Sequence, residues 1–87
     1  MYQVEIKEEV IKTLKKMDSS TAKYILSWIQ KNLVDVDNPR SIGKPLVGNL
    51  KGYWRYRVGK YRIIAKIKDN VLIIEIIKIA KRDDVYE

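Results

Sequence analysis

The stretch "YWRYRVGKYRIIAKI" (residues 53–67) decides the fold, because apolar and polar side chains alternate on both sides of a single glycine. A period of two places Trp54, Tyr56 and Val58 on one face of a strand, and Tyr53, Arg55 and Arg57 on the other. Gly59 permits a tight turn, after which the alternation resumes. The stretch therefore predicts an antiparallel β-hairpin with arginines on one face.

Further strand signals lie on both sides of this hairpin. "KDN" (68–70) predicts a second turn, and "VLIIEIIKIA" (71–80) is β-branched and apolar on both faces, which is typical of a central strand. "YQVEI" (2–6) alternates like a short half-buried strand, and the loop rich in Pro and Gly that precedes the hairpin contains a possible short strand, "KPLV" (44–47).

Two amphipathic helices are predicted between residues 7 and 33. The first, "KEEVIKTLKKM" (7–17), has acids in its first turn and lysines in its last, as the helix dipole favours. "DSS" (18–20) supplies N-cap candidates for the second. The predicted buried residues are Val10, Ile11, Leu14 and Met17 in the first helix, and Ala22, Ile25, Leu26, Ile29 and Leu33 in the second. The short link predicts an αα-hairpin.

These elements predict one domain over residues 1–87 with an α+β fold. It consists of an N-terminal strand, an αα-hairpin and then an antiparallel β-meander, with the helices packed on one face of the sheet. The chain of 87 residues contains no cysteine and no histidine, which excludes disulfides, thiolate nucleophiles and imidazole acid–base chemistry. Neither a signal peptide nor a membrane span is evident, so we expect a cytoplasmic protein. We also expect no cofactor.

Positive charge is concentrated in the C-terminal part of the chain. Residues 51–82 carry a net charge of +8, whereas the remaining residues together carry −1. Such an uneven distribution favours a polyanion or an acidic protein as partner. Arg55, Arg57 and Arg62 are predicted to share one face of the hairpin, where like charges are unfavourable without a ligand. The planar guanidinium group suits phosphates, and neighbouring tyrosines suit base stacking.

The motif "LKGYWRYRVGKYRI" (50–63) and the terminal "KR" followed shortly by a tyrosine resemble the RelE branch of the RelE/ParE superfamily of toxins. The order of predicted elements is similar to that fold over almost the whole chain. The resemblance implies an mRNA endoribonuclease that cleaves the codon in the ribosomal A site, and a co-expressed acidic antitoxin similar to RelB. A complex of two toxins and two antitoxins is expected.

The resemblance also implies roles for individual residues. Arg62 and Arg82 take the two catalytic arginine positions, Arg55 and Arg57 the two basic positions of the preceding strand, and Tyr86 the terminal tyrosine. Lys51 and Lys60 are expected to add to phosphate binding. Attack of a 2′-hydroxyl on its own phosphate needs no metal, only a base, a proton donor and cations. Tyr86 or Lys81 would serve as the base or would orient the substrate.

Three alternatives stay open at the level of sequence. A toxin of the ParE branch would share the fold but poison DNA gyrase, and a plain RNA-binding module would bind RNA in a salt-dependent way without cleaving it. A metal-dependent nuclease would have to use Glu8 and Glu9, or Asp83 and Asp84, which are weakly placed for a shared ion.

Overall fold

The computed structural model describes residues 1–82, which form two helices and a five-stranded sheet. The elements in chain order are β1 (Gln3–Ile6), α1 (Glu8–Lys16), α2 (Ser19–Asn32), β2 (Lys44–Pro45), β3 (Trp54–Val58), β4 (Tyr61–Lys68) and β5 (Ile73–Lys81). Short 3-10 turns at Gly48–Leu50 and Asp69–Val71 precede β3 and β5. The predicted α+β fold, with the helices packed against a meander, is confirmed.

The sheet order is β1-β5-β4-β3-β2. Strands β2 to β5 pair antiparallel, as predicted for the meander, whereas β1 pairs parallel to β5. Strand β5 is therefore an interior strand that pairs on both of its edges, as its predicted central position requires. The pairing of β4 with β5 shifts between Ile64 and Ala65, so that Ile77 is the extra residue of a bulge.

The core lies between the helices and one face of the sheet. Ile25, Ile29 and Leu33 of the second helical segment are buried against Tyr56 and Ile63 of the hairpin. Asp18 caps α2 by accepting a hydrogen bond from the backbone N–H of Thr21 at 3.3 Å. Within residues 1–82, no helix is long and apolar enough to cross a membrane.

Two residues predicted to lie in the core are exposed. Leu26 is 42% exposed and Ile11 is 39% exposed. Each directly follows a buried residue, Ile25 or Val10, and adjacent helical positions point about 100° apart. The helices contact the sheet along a narrower stripe than the sequence pattern indicates, so the second residue of each apolar pair faces outward. The prediction of burial was wrong for both.

A polar cluster fixes the loop between α2 and β2 against the sheet. Arg40 donates two hydrogen bonds to the carboxylate of Asp69, at 3.0 and 2.8 Å, and the Tyr2 hydroxyl donates a third at 2.6 Å. These bonds, chiefly those from Arg40, lower the pKa of Asp69 to about 2. The Arg40 guanidinium also lies 5.6 Å from the ring centre of Trp54. Sequence analysis did not identify this cluster.

Candidate functional site

The β3–β4 hairpin places arginines side by side on the sheet face that points away from the helices. Arg57 lies directly opposite Arg62, and Arg55 lies opposite Ile64 in the same ladder. The turn contains only Gly59 and Lys60, and Gly59 adopts φ +60°, which suits a two-residue hairpin loop. The sequence prediction that these three arginines share one face of adjacent strands is confirmed.

The C-terminal end of β5 is joined to this turn. The backbone N–H of Arg82 donates to the carbonyl oxygen of Lys60 at 2.9 Å, which extends the ladder beyond the last strand residue. A guanidinium N–H of Arg82 also donates to the carbonyl oxygen of Gly59 at 3.4 Å. Lys81 lies opposite Tyr61 in the register. Cations from the end of the strand are thereby brought beside those of the hairpin.

The result is a cleft of about 610 Å³, which we call the cationic cleft. The described residues that line it are all basic: Lys60, Arg62, Lys81 and Arg82. Cations that converge from a turn and two strand ends favour an anion with several acceptor oxygens, because each guanidinium offers a planar fork of donors. A phosphodiester group has this chemistry.

A smaller cleft of about 150 Å³ lies on the adjoining strands, lined by Ile42, Lys44, Arg55 and Arg57. Lys44 on the edge strand pairs with Arg55, so basic residues continue from the hairpin to the sheet edge. Sequence analysis did not single out Lys44. The sequence did predict a short strand that begins with Lys44, but it did not indicate which strand this segment pairs with.

Among residues 1–82, the acids of the outer face lie toward the other end of the sheet. Glu75 pairs with Lys66 in the β4–β5 ladder and forms a salt bridge with Lys68, whose Nζ lies 3.3 Å from Oε1 of Glu75. Glu5 lies beside Glu75 on the parallel strand. The outer face formed by residues 1–82 is therefore mixed in charge near the β4–β5 turn and basic around the cationic cleft, so the field of these residues favours a polyanion at the cleft end.

The predicted site residues within residues 1–82 fall into three groups. Arg62, Arg82, Lys81 and Lys60 line the cationic cleft, and Arg55 and Arg57 line the smaller one. Lys51 is exposed in the loop before β3, at the opposite end of that strand from the Gly59 turn. Tyr86 lies outside the described residues.

The carboxylates considered for a metal site are placed as follows. Glu8 and Glu9 are exposed in the first turn of α1. In the part of the chain that the structure describes, no three His, Cys, Asp or Glu side chains cluster as a metal site would require. Asp83 and Asp84 lie outside that part.

Comparison with known proteins gives consistent matches. Residues 4–86 match the family model of the ParE toxin of type II toxin–antitoxin systems. The chain is 32% identical over 85 residues to Toxin RelE of Mycobacterium tuberculosis, covering 98% of this chain and 86% of that protein.

Solved structures share the fold. The toxin–antitoxin complex RelBE2 from Mycobacterium tuberculosis contains a chain with TM-score 0.83 and 25% identity, with 95% of this chain and 93% of that chain covered. The archaeal RelE–RelB complex from Pyrococcus horikoshii gives a TM-score of 0.72 at 26% identity, covering 97% and 98%. Isolated RelE of E. coli gives 0.71 at 17% identity, covering 93% and 84%, which supports the fold alone.

Proposed function

Because the chain belongs to the RelE/ParE superfamily of toxins from type II toxin–antitoxin systems, we propose that it is a ribosome-dependent mRNA endoribonuclease that inhibits translation. The observation that carries this proposal is the cationic cleft, in which four basic side chains from a turn and two strand ends meet. Such a cleft can hold one phosphodiester and stabilise the charge that develops on it during cleavage.

The proposed reaction is an internal transesterification. The 2′-hydroxyl oxygen of a nucleotide attacks the adjacent phosphorus, and the bond from phosphorus to the 5′-oxygen of the next nucleotide breaks. The products are a 2′,3′-cyclic phosphate and a 5′-hydroxyl end, so the reaction consumes no water and requires no metal. A base must take the proton of the 2′-hydroxyl, and an acid must protonate the leaving 5′-oxygen.

Arg62 and Arg82 are proposed to stabilise the developing charge on the phosphate oxygens. Their positions are held by the backbone: Arg62 by its register opposite Arg57, and Arg82 by its hydrogen bonds to the Gly59–Lys60 turn. Arginine is a poor base because its pKa lies above about 12. Lys81, which lines the same cleft, or Tyr86 is the proposed base. Lysine and tyrosine side chains in general have a pKa of about 10, which makes them weak catalysts of proton transfer at neutral pH. We therefore expect efficient cleavage only where the ribosome aligns the mRNA.

The proposed partner is an acidic antitoxin similar to RelB, in a complex of two toxins and two antitoxins. Two structural relatives were solved with an antitoxin bound, one in the RelBE2 toxin–antitoxin complex from Mycobacterium tuberculosis and one in the RelE–RelB complex from Pyrococcus horikoshii. A net charge of +7 favours an acidic protein that covers the basic face and so blocks access to RNA.

Cleavage of a translated mRNA in a cell-free reaction tests the proposed activity. Arg62→Ala and Arg82→Ala should each lower the cleavage rate by about 10²- to 10³-fold, as removal of one transition-state donor does. Lys12→Ala, an exposed residue of α1, is the matched control and should cleave like wild type. The 5′ fragment should end in a cyclic phosphate. Full activity in both arginine variants would refute the assigned roles.

Gyrase inhibition is the second candidate, because the matching family model is described as that of a ParE toxin. It predicts loss of DNA supercoiling by gyrase when the toxin is added, with translated mRNA left intact. Running both assays on the same preparation separates the two candidates.

A further inference from the structure

A second groove, of about 320 Å³, lies on the helix side of the Gly59–Lys60 turn. It is lined by Ser20, Thr21 and Tyr24 of α2 and by Val58, Lys60 and Tyr61 of the hairpin. Lys60 also lines the cationic cleft, so the two depressions adjoin at this residue. We call this second depression the tyrosine groove.

The tyrosine groove presents aromatic surface that the fold does not need to bury. Tyr24 is 56% exposed, although large aromatic residues are usually covered. A Cβ atom added to Gly59 would lie 3.3 Å from Cε2 of Tyr24, so the ring rests against the bare backbone of the turn. Tyr61, which is half-buried and packed against the core, supplies a second and more buried ring.

The polar groups of the tyrosine groove complement those rings. The Thr21 hydroxyl offers a donor and an acceptor at the start of α2, the Ser20 hydroxyl, which donates its proton to Asp18, offers an acceptor, and Lys60 offers a positive charge. Aromatic rings beside a basic track are the means by which proteins hold single-stranded nucleic acid, because every base has a face that can stack. An apolar protein segment would leave the hydroxyls and the lysine poorly matched.

We propose that the tyrosine groove binds an unpaired base of the RNA strand whose phosphate occupies the cationic cleft, with Tyr24 as the stacking residue. This inference rests on the proposed function for its ligand class. Lys60, shared by both depressions, contacts the backbone between the bound base and the bound phosphate. The tyrosine groove thereby determines how the RNA strand passes around the hairpin turn. The base then lies on a surface formed partly by α2, not on the sheet face that carries the arginines.

Fluorescence anisotropy with a short, unstructured, labelled RNA and the full chain tests the proposal. Tyr24→Leu should weaken binding about 5- to 10-fold, the lower part of the range for loss of one stacked base, because the ring is partly exposed. Tyr24→Phe keeps the ring and should bind within about twofold of wild type. The slope of log affinity against log salt should be unchanged in Tyr24→Leu, whereas Lys60→Ala should reduce it by about 0.7.

Several results would overturn the proposal. These are wild-type affinity in Tyr24→Leu, equal weakening in Tyr24→Phe, or no measurable RNA binding by the wild type. Loss of antitoxin binding in Tyr24→Leu with RNA affinity intact would assign the groove to a protein partner instead. Thermal unfolding of each variant checks that it folds. RNA binding that depends on Tyr24 in a protein that does not cleave translated mRNA would uphold this inference and refute the proposed endoribonuclease.

Discussion

Arg57 and Arg62 are directly opposed across the β3–β4 ladder, on the face that points away from the helices. Opposed like charges cost about 0.2–1 kcal/mol relative to a neutral pair. We interpret the two opposed arginines as residues placed for binding an anion rather than for stabilising the fold.

Replacing Arg57 with Gln should raise the free energy of unfolding by about 0.2–1 kcal/mol at low salt, and the gain should shrink as salt screens the charges. RNA affinity should fall in the same variant. Urea denaturation at low and high salt, with Lys12→Gln on α1 as control, measures the first effect. A variant no more stable than wild type at low salt would show that the opposition carries no cost.

Leu26, which lies in α2, and Leu33, which directly follows α2, provide a matched test of the observed core. Leu33 is fully buried, whereas Leu26 is 42% exposed. Leu33→Ala should therefore lower the free energy of unfolding by about 2–5 kcal/mol. Leu26→Ala should change it by less than about 0.5 kcal/mol. Similar losses in the two variants would mean that Leu26 is buried in solution, for example against a second chain.

The outcome for these leucines illustrates what a periodic pattern can predict. The periods of 2 and 3.6 identify strands and helices, because they follow from backbone geometry alone. They do not determine how much of each helix surface is covered by the sheet, so Leu26 and Ile11 were assigned to the core in error. The parallel pairing of β1 with β5 was not predicted either, because it joins segments that lie about seventy residues apart.

In the candidate site, too, some residue contacts were predictable from the sequence and others were not. A two-residue turn fixes the register of a hairpin, so the proximity of Arg57 and Arg62 follows from the sequence once Gly59 is recognised as the turn. The attachment of Arg82 to the turn depends on the β4–β5 register, including its bulge, and only the resemblance indicated it. The Arg40–Asp69 pair joins two loops and leaves no periodic signal.

Gly43 is required by the packing of the buried Tyr56, not by its backbone conformation. A Cβ atom at position 43 would lie 2.8 Å from Cε1 of Tyr56 and 3.1 Å from the carbonyl oxygen of Arg55. Tyr56 cannot yield easily, since it is fully buried and its hydroxyl donates to the Pro39 carbonyl at 2.7 Å. Gly43→Ala should therefore destabilise the fold by about 1–3 kcal/mol through overpacking.

The control for Gly43→Ala is Gly48→Ala, which has open space around the added Cβ atom and a positive φ of 67°. Its cost, about 1–2 kcal/mol, should come from the backbone alone. A second substitution, Tyr56→Leu, distinguishes the two causes. It should reduce the loss of free energy of unfolding caused by Gly43→Ala and should leave the loss caused by Gly48→Ala unchanged. Equal behaviour in the two double variants would contradict the packing explanation.

The Asp69 carboxyl should make stability depend on pH in a defined acidic window. Its pKa is lowered to about 2 in the folded protein, first by Arg40 and then by Tyr2, whereas an unfolded aspartate titrates near about 3.9. A lowered folded pKa contributes stability that is present above the unfolded value and is lost as pH falls through the folded value. The contribution should therefore disappear between about pH 4 and pH 2.

Asp69→Asn removes that titration, so the difference in Tm between wild type and variant should be constant from about pH 5 to pH 7 and should shrink as pH falls toward about 2. Arg40→Gln removes the largest cause of the lowered pKa and should move the Asp69 titration back toward about 3.9. A carbon-detected NMR titration of the carboxyl reports the pKa directly in wild type and in Arg40→Gln. An Asp69 that titrates near its ordinary value in the wild type would show that the Arg40 and Tyr2 hydrogen bonds do not persist in solution.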